Sequence, residues 1–391
     1  MKSFWFDQKE SKLNIKKIVI VSLIAIILIA IAVTILTYCY NRELRLWIDK
    51  NILGKEIMQE NTISIELDEE NSKICAFNQY IGVLAKNNFK IYNSSGNEEK
   101  NLTMEITTPL FDTDNRFLAV AEDKGKKIYL VNNKDIAWEK EVEGNISQIK
   151  VNKNGYVTAV VTNTSYKTVI EMYTPEGEEM FKTYLSSTRT ADVSVSNDNK
   201  YLAIAEIDIS GTIIQSNIKI ISIEKAQKDP TNSIEKIYSG EINKLITNIK
   251  YQDKNKLVCM YTDSIKIIEN ELEENLCSYD NKKITIASIE LLNNAVTVEE
   301  KSSGLFTADS IINITNSDNK ETKIYTIQDV TKEIYTHENI IAVNLGVEIE
   351  FINTSGWLVK KYIANQEITS LVVSNNIAGV VYRNKVDIIK L

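Results

Sequence analysis

One short pattern recurs along the chain and constrains its fold more than any other feature. It is a turn rich in asparagine and aspartate, followed by a strongly apolar strand. Residues 111–120 (FDTDNRFLAV) and 195–204 (VSNDNKYLAI) are close copies, and weaker copies lie at residues 151–160, 251–260 and 374–381. A recurring element of this kind predicts similar supersecondary units, each of which buries its apolar faces only against its neighbours.

A second turn, which ends in glycine, follows a later strand at residues 91–96, 172–177 and 351–356. Glycine supplies the positive φ that such a hairpin needs. The strand-like segments then group in fours. These groups begin roughly 36 to 46 residues from one another, except for one longer unit, and this pattern predicts an all-β propeller. The predicted units open near Lys73, Pro109, Ile146, Thr190, Ile246, Ile284, Val330 and Ile368.

The two ends of the repeat region indicate how the ring closes. The last unit, residues 368–391, holds only three strands, whereas residues 62–67 (TISIEL) form a spare strand before the first full unit. Pairing the two would complete an eighth four-stranded blade and leave no open edge. We therefore predict eight blades within residues 61–391; seven remains the alternative, because the first unit is the least regular.

Residues 18–40 contain no charged side chain. As a helix this segment would be about 34 Å long, enough to cross a hydrocarbon core of about 30 Å. The run is too long for an ordinary signal peptide and no small-residue cleavage site follows it. Tyr38, directly before Cys39, argues against a lipoprotein signal. We predict an uncleaved transmembrane helix whose partner is the lipid bilayer.

The flanks of this helix indicate its orientation. Lys16 and Lys17 lie next to the span within a short basic tail, residues 1–17. Basic residues in short loops favour the cytoplasmic side, so we predict a single-pass plasma-membrane protein with residues 1–17 inside and the propeller outside. Residues 41–60 are either a plain juxtamembrane linker or a short amphipathic helix with Trp47 at the headgroup level.

Charge and the scarcity of histidine exclude several kinds of chemistry. The formal net charge is −8, which repels nucleic-acid phosphate, and no basic cluster outside the N-terminal tail offsets it. We expect no nucleic-acid partner. Because His337 is the only histidine, a multi-histidine metal site is excluded and a Ser-His-Asp triad would have to include it. We interpret His337 as a turn residue at a strand boundary.

No other pattern predicts a catalytic, cofactor or metal-binding residue. Residues 112–115 (DTDN) resemble part of a calcium loop, but the glycine and distal glutamate of such a loop are absent, which favours a turn between strands. Cys259 and Cys277 fall on the second and fourth strands of one predicted unit, about 9.5 Å apart and beyond disulfide reach. We expect these two and Cys75 to be buried thiols.

The turn at residues 198–203 (DNKYLA) resembles that of WD40-like and TolB-type propeller repeats, and residues 135–138 (DIAW) and the glycine turns are similar to the end of quinoprotein-type repeats. The layout resembles an uncharacterised family of single-span membrane proteins with a propeller outer domain, from low-GC Gram-positive bacteria. Quinone sites in quinoproteins use an adjacent cysteine pair, which this sequence lacks. The resemblance therefore implies a fold and no established activity.

Nearly the whole chain is used for structure and no catalytic constellation is visible. We predict a non-enzymatic binding module or scaffold at the cell surface, whose partner is a protein or glycan of the cell envelope. The alternative is a carbohydrate-active hydrolase that uses paired carboxylates in the propeller channel. Two carboxyl groups about 5 to 10 Å apart in a concave pocket would favour that alternative.

Overall fold

The computed structural model of the chain describes residues 15–55, 58, 62–69, 71–253, 256–304, 307–374 and 376–391. The chain divides into two compact units, Met1–Ile57 and Met58–Leu391, and each is described by itself. Residues 1–14, which make up most of the predicted tail, lie outside the described part of the chain.

The first unit begins with α1 (Ile15–Tyr40), a helix of aliphatic and β-branched residues. Its segment Ile20–Cys39 has a mean hydropathy of 3.0 and none of it is buried. By length and composition this segment is able to cross a membrane.

A second helix, α2 (Arg42–Asn51), follows almost directly. Asn41 caps it, because the Asn41 Oδ1 accepts a hydrogen bond from the Leu44 N–H at 3.0 Å. The Tyr38 hydroxyl donates to Asp49 Oδ1 at 2.7 Å and so joins the end of α1 to α2.

The second unit consists of eight antiparallel four-stranded sheets, which we number as blades in chain order. Blades 1 to 7 use consecutive strands, and each first strand begins within three residues of a predicted unit start. Blade 4 also contains a short helix, α3 (Ile223–Lys228), and a 3₁₀ helix (Pro230–Asn232), which lengthen its repeat.

The strand that precedes blade 1 is β1 (Ile63–Glu66). The strands of blades 1 to 4 are β2 (Lys73–Phe77), β3 (Tyr80–Ala85), β4 (Asn88–Tyr92), β5 (Glu98–Thr103); β6 (Pro109–Asp114), β7 (Phe117–Glu122), β8 (Lys127–Asn132), β9 (Asp135–Glu141); β10 (Asn145–Val151), β11 (Val157–Thr162), β12 (Thr168–Tyr173), β13 (Glu179–Leu185); and β14 (Thr188–Val195), β15 (Tyr201–Asp208), β16 (Gln215–Ser222), β17 (Ile234–Ser239). Those of blades 5 to 8 are β18 (Ile246–Asp253), β19 (Lys256–Tyr261), β20 (Ser264–Glu269), β21 (Leu272–Ser278); β22 (Ile284–Ser288), β23 (Asn294–Ser302), β24 (Ala308–Asn316), β25 (Thr322–Ile327); β26 (Glu333–His337), β27 (Ile340–Asn344), β28 (Glu348–Asn353), β29 (Leu358–Ile363); and β30 (Ser370–Ser374), β31 (Ile377–Val381), β32 (Lys385–Lys390) together with β1.

In blades 1 to 7 the first strand is the innermost, and in blade 8 the innermost strand is β30. Innermost strands of neighbouring blades contact one another, as β2 does with β6 and with β30, and together they surround a central channel. We call the face where these strands begin the upper face and the face where they end the lower face. The upper face carries the turns between second and third strands and the links from each blade to the next.

Apolar residues on both sides of the middle strands explain why every blade packs between two others. In β7 and β11 five consecutive residues are buried, the pattern of a strand that is covered on both faces. The core therefore lies in layers between blades. One layer joins blades 1 and 2 around Phe89, Leu118 and Tyr129, and another joins blade 8 to blade 1 around Ile81 and Ile388.

Both recurring turns form hairpins, as the sequence predicts. Asn115 and Asn199 adopt positive φ angles of 53° and 58°, a region that asparagine tolerates. Gly177 has a φ of 85°, and a Cβ built on it would lie 2.7 Å from the Trp138 ring of blade 2. The Trp138 indole N–H donates to the Pro175 carbonyl at 3.1 Å. The glycine is therefore required both by the turn and by the docking of this tryptophan.

The ring closes with an eighth blade built from both ends of the domain, as predicted. β1 pairs antiparallel with β32, with Ile63 opposite Ile388 and Glu66 opposite Lys385. Ile65 is only 5% exposed. The prediction of eight blades is confirmed, and the seven-blade alternative is wrong.

We expect Ile65→Ala to destabilise the propeller by about 2 to 4 kcal/mol, because it removes buried apolar volume from the strand that closes the ring. Ile234→Ala is the matched control, since Ile234 lies on the outermost strand of blade 4 and is 44% exposed. Chemical denaturation of the full chain measures both. Deletion of residues 62–67 should have a larger effect than either substitution, and equal stability of the two substituted proteins would contradict the role given to β1.

We expect Gly177→Ala to destabilise the fold by about 2 to 4 kcal/mol, since it adds the cost of a positive φ to a clash with Trp138. Gly211→Ala is the control, because a Cβ there meets nothing closer than 3.9 Å and its φ is not in the left-handed region. A melting temperature of the Gly177 variant as high as that of the control would show that the tryptophan does not dock against this turn.

Candidate functional site

Charged side chains from five blades meet in the channel, toward its lower end. The Lys150 Nζ lies 4.0 Å from Asp112 Oδ1 and 3.5 Å from Asp192 Oδ1, and Lys250 forms an ion pair with Glu290. These residues come from β6, β10, β14, β18 and the segment after β22, so the group spans blades 2 to 6. We call the following residues the channel cluster: Asp112, Asp114, Lys150, Asp192, Lys250 and Glu290.

Two aspartates of the channel cluster also bind the backbone of the next blade. Asp112 Oδ2 accepts a hydrogen bond from the Val151 N–H at 2.7 Å, and Asp192 Oδ2 accepts one from the Ile249 N–H at 2.9 Å. Each carboxylate thus lies close to the Lys150 ammonium with one oxygen and binds a neighbouring innermost strand with the other. Such charge-assisted bonds compensate only part of the burial of Asp192, which is 2% exposed, and burial raises the pKa of this carboxyl.

The carboxyl groups of the channel cluster differ in pKa. Burial raises the pKa of Asp112 to about 7 and that of Asp114 to about 6, against the opposing effect of nearby lysines. Burial acts in the same direction on Glu290, but Lys250 and Lys150 outweigh it and lower the pKa of that carboxyl to about 2. Glu290 is therefore ionised at neutral pH, whereas Asp112 and Asp114 exchange protons close to neutrality.

The space beside the channel cluster is small. It encloses about 40 Å³, which is room for about one water molecule. Among the residues that the structure describes, no group of three or more His, Cys, Asp or Glu side chains is arranged to hold a metal ion. The cluster can therefore join blades and hold a proton or a water molecule, but it has no room for a sugar ring.

Some residues of this region lie where the sequence predicts, although the sequence does not indicate that they meet. His337 ends β26, at the strand boundary that was predicted, and burial together with Lys250 lowers its pKa. Residues 112–115 form the end of β6 and the turn after it, as predicted. The sequence signal that could have indicated the cluster is a pair of charged residues at alternate positions of an innermost strand, such as Asp112 and Asp114. Residues two apart in a strand share one face.

The cysteines agree in part with expectation. Cys259 lies on β19 and Cys277 on β21, the second and fourth strands of blade 5, and both are free thiols. Cys75 and Cys259 are buried, but Cys277 is only partly buried. The prediction of three buried thiols is therefore wrong for Cys277, because it lies on the outermost strand, where the sheet meets solvent.

A much larger concavity, which we call the first cleft, opens on the upper face and encloses about 970 Å³. It lies over blades 8, 1 and 2, where three innermost strands begin at Ser370, Lys73 and Pro109. Its lining mixes apolar, amide, hydroxyl and charged side chains, and its volume falls in the range of ligand sites. It is lined by Leu67, Asn71, Ser72, Lys73, Ile74, Pro109, Phe111, Gln366, Glu367, Ile368, Thr369, Ser370, Val381, Tyr382, Arg383 and Asn384.

We expect Asp112→Asn to change how stability depends on pH. The pKa of Asp112 is higher in the folded protein than its unfolded value of about 3.9. The wild type therefore loses stability relative to the variant as the pH rises from about 4 to about 7. Because the Asp112 side chain is 25% exposed, we expect the difference in unfolding free energy to grow by about 1 to 3 kcal/mol across this window.

Urea denaturation at a series of pH values measures this difference. Asp135→Asn removes a carboxylate that is 73% exposed and serves as the control for the loss of a surface charge. A difference between the Asp112 variant and the wild type that stays constant with pH would contradict the assignment.

Solved structures similar to this chain are propellers. BamB from Moraxella catarrhalis has a TM-score of 0.51 and 14% identity, over 84% of this chain and 98% of BamB. Sqt1 from Chaetomium thermophilum, solved bound to the N-terminus of the ribosomal protein L10, has a TM-score of 0.54 and 10% identity, over 85% of this chain and 100% of Sqt1. At such identities the similarity shows the fold alone.

Sequence comparison gives a family but no activity. No curated protein matches the chain. The model of a family of unknown function, DUF5711, matches residues 54–391, which include the whole propeller. The chain therefore belongs to the DUF5711 family.

Proposed function

We propose that this protein is a membrane-anchored, extracytoplasmic propeller that acts as a non-enzymatic binding module or scaffold at the cell surface. The observation that carries the proposal is the contrast between two concave regions. The first cleft encloses about 970 Å³ on the upper face, whereas the space at the channel cluster is about 40 Å³. The former is large enough to receive a segment of a partner, and the latter is not.

The proposed anchor is the segment 18–40 in the plasma membrane, with residues 1–17 in the cytoplasm. The uncharged length of α1 supports a membrane span. Lys16 and Lys17, directly before the span, support a cytoplasmic N-terminus. The proposed partners are the lipid bilayer for this segment, and a protein or glycan of the cell envelope for the propeller.

Similar rings support a binding role in a general way. Sqt1 was solved with the N-terminus of another protein bound to it, so a ring of this fold can receive a segment of a partner. Its partner is a property of that protein and indicates nothing about the chemistry of a ligand here. A binding role for this chain therefore rests on its own first cleft.

The hydrolase alternative finds less support. Asp112 and Asp192 both approach the Lys150 ammonium, so their carboxyl groups are close enough to act as a pair across a glycosidic bond. The space of about 40 Å³ beside them, however, does not admit the sugar ring that such a pair would have to flank. We therefore favour binding over hydrolysis.

Filling the first cleft tests the proposal. Thr369 is an exposed residue of its lining, and Thr369→Trp should obstruct it. Thr326→Trp is the matched control, because Thr326 is exposed on the outermost strand of blade 6. The full chain in detergent, used as bait for an extract of the cell envelope, should recover a partner that the Thr369 variant loses and the Thr326 variant retains. Failure of the wild type to enrich any envelope protein or glycan would overturn the proposal.

A further inference from the structure

A second cleft adjoins the first on the upper face. It encloses about 650 Å³ and is lined by residues of blades 2, 3 and 4. The turn between β7 and β8 lies between the two. The Asp123 N–H donates to the Thr108 carbonyl at 2.7 Å, and Thr108 precedes Pro109 of the first cleft. The Lys124 N–H donates to the carbonyl of Ile146, a residue of the second cleft, at 2.9 Å. The two clefts therefore lie side by side over blade 2.

The charge of this double cleft is opposite to that of the whole chain. Among the residues that the structure describes, five cations line the two clefts against two carboxylates, Glu367 and Asp123, although the chain has a formal net charge of −8. The cations are Lys73 and Arg383 in the first cleft and Lys124, Lys167 and Arg189 in the second.

Several other carboxylates of the upper face are already engaged within the protein. Glu122 accepts hydrogen bonds from the backbone N–H groups of residues 107 and 108, at 2.6 and 2.9 Å. Glu241 and Asp263 each form an ion pair with Lys244 at 2.8 Å. These internal partners partly neutralise the negative charge of the upper face.

Three of the five cations of the double cleft lack such engagement. Lys167 Nζ donates to the Ser187 carbonyl at 2.9 Å and interacts electrostatically with the Asp208 carboxylate. Within the described part of the chain, Lys73, Lys124 and Arg189 form no ion pair with a carboxylate. An anionic ligand would supply the missing partner.

The remaining lining indicates which anion fits. Asn71 and Gln366 in the first cleft and Asn163 in the second carry amides, which both donate to and accept from hydroxyl groups. Phe111 lines the first cleft and Tyr166 the second, with Tyr166 42% exposed. Aromatic faces pack against the apolar faces of sugar rings. Cations, amides and aromatic rings together match a charged sugar polymer better than an acidic peptide.

We propose that the upper face binds an anionic polysaccharide that lies across both clefts and over the turn between β7 and β8. This inference rests on the proposed binding function and names the class of its ligand. The sugar rings contact the amide and aromatic side chains, while Lys73, Lys124 and Arg189 pair with the negative groups of the polymer.

Binding to three polymers tests the inference, with the full chain reconstituted in phosphatidylcholine nanodiscs. The probes are polygalacturonate, uncharged dextran and poly-L-glutamate. We expect polygalacturonate to bind more tightly than either of the others and to weaken as salt is raised. The double substitution Lys124→Gln and Arg189→Gln should weaken its binding about tenfold, since each exposed ion pair contributes a factor of about two to five.

Lys140→Gln is the matched control and should bind like the wild type, because Lys140 is exposed on the outermost strand of blade 2. Equal binding of poly-L-glutamate would overturn the assignment to a glycan, and equal binding of dextran would overturn the role of the cations. Absence of polygalacturonate binding would also overturn the inference. The proposed binding function would survive that result if an envelope partner sensitive to Thr369→Trp were still recovered.

Discussion

Closure of the ring by β1 is the constraint on which the rest of the structure depends, because every blade buries its faces only against neighbours. Besides its backbone pairing with β32, the closing strand is held by one buried carboxylate. Asp387 accepts hydrogen bonds from the hydroxyls of Ser64 at 2.5 Å and Tyr362 at 2.8 Å, and from Lys385 at 3.0 Å. Since Ser64 belongs to β1 and Tyr362 to blade 7, the Asp387 carboxylate binds both the closing strand and the neighbouring blade 7.

Polar groups bridge blades at two distances from the axis, with apolar layers between them. Farther out, Tyr325 of blade 6 donates to Glu350 of blade 7 at 2.9 Å, as Tyr362 does to Asp387 in the next pair of blades. Near the axis, Asp112 and Asp192 bind adjacent innermost strands. Loss of one partner would leave a buried charge uncompensated, which is strongly destabilising. The ring is therefore well suited to hold the residues of the upper face in fixed positions.

The strands, the blade count and the closure could be predicted from the sequence, because turn chemistry and strand alternation are local. Asn115 and Gly177 signal hairpins through the backbone conformation that each position requires. Contacts between blades could not be predicted in this way. Asp112 meets Lys150 and Asp192 only because each repeat returns the chain to the axis, and alternation along a strand does not identify the residues opposite on a neighbouring blade.

The net charge of the chain does not describe the electrostatic environment within the clefts. A formal charge of −8 describes the average surface, but charges separated by more than about 8 Å are largely screened at physiological ionic strength. A polymer seated in the double cleft is therefore governed by Lys73, Lys124 and Arg189 more than by distant carboxylates. The expectation that the chain has no nucleic-acid partner rested on the average, and it stays a prediction. Phosphate and carboxylate groups attract the same lysines, so the cations alone do not discriminate between polyanions. Discrimination must come from the uncharged amide and aromatic side chains, which contact the sugar or peptide groups that carry the charges.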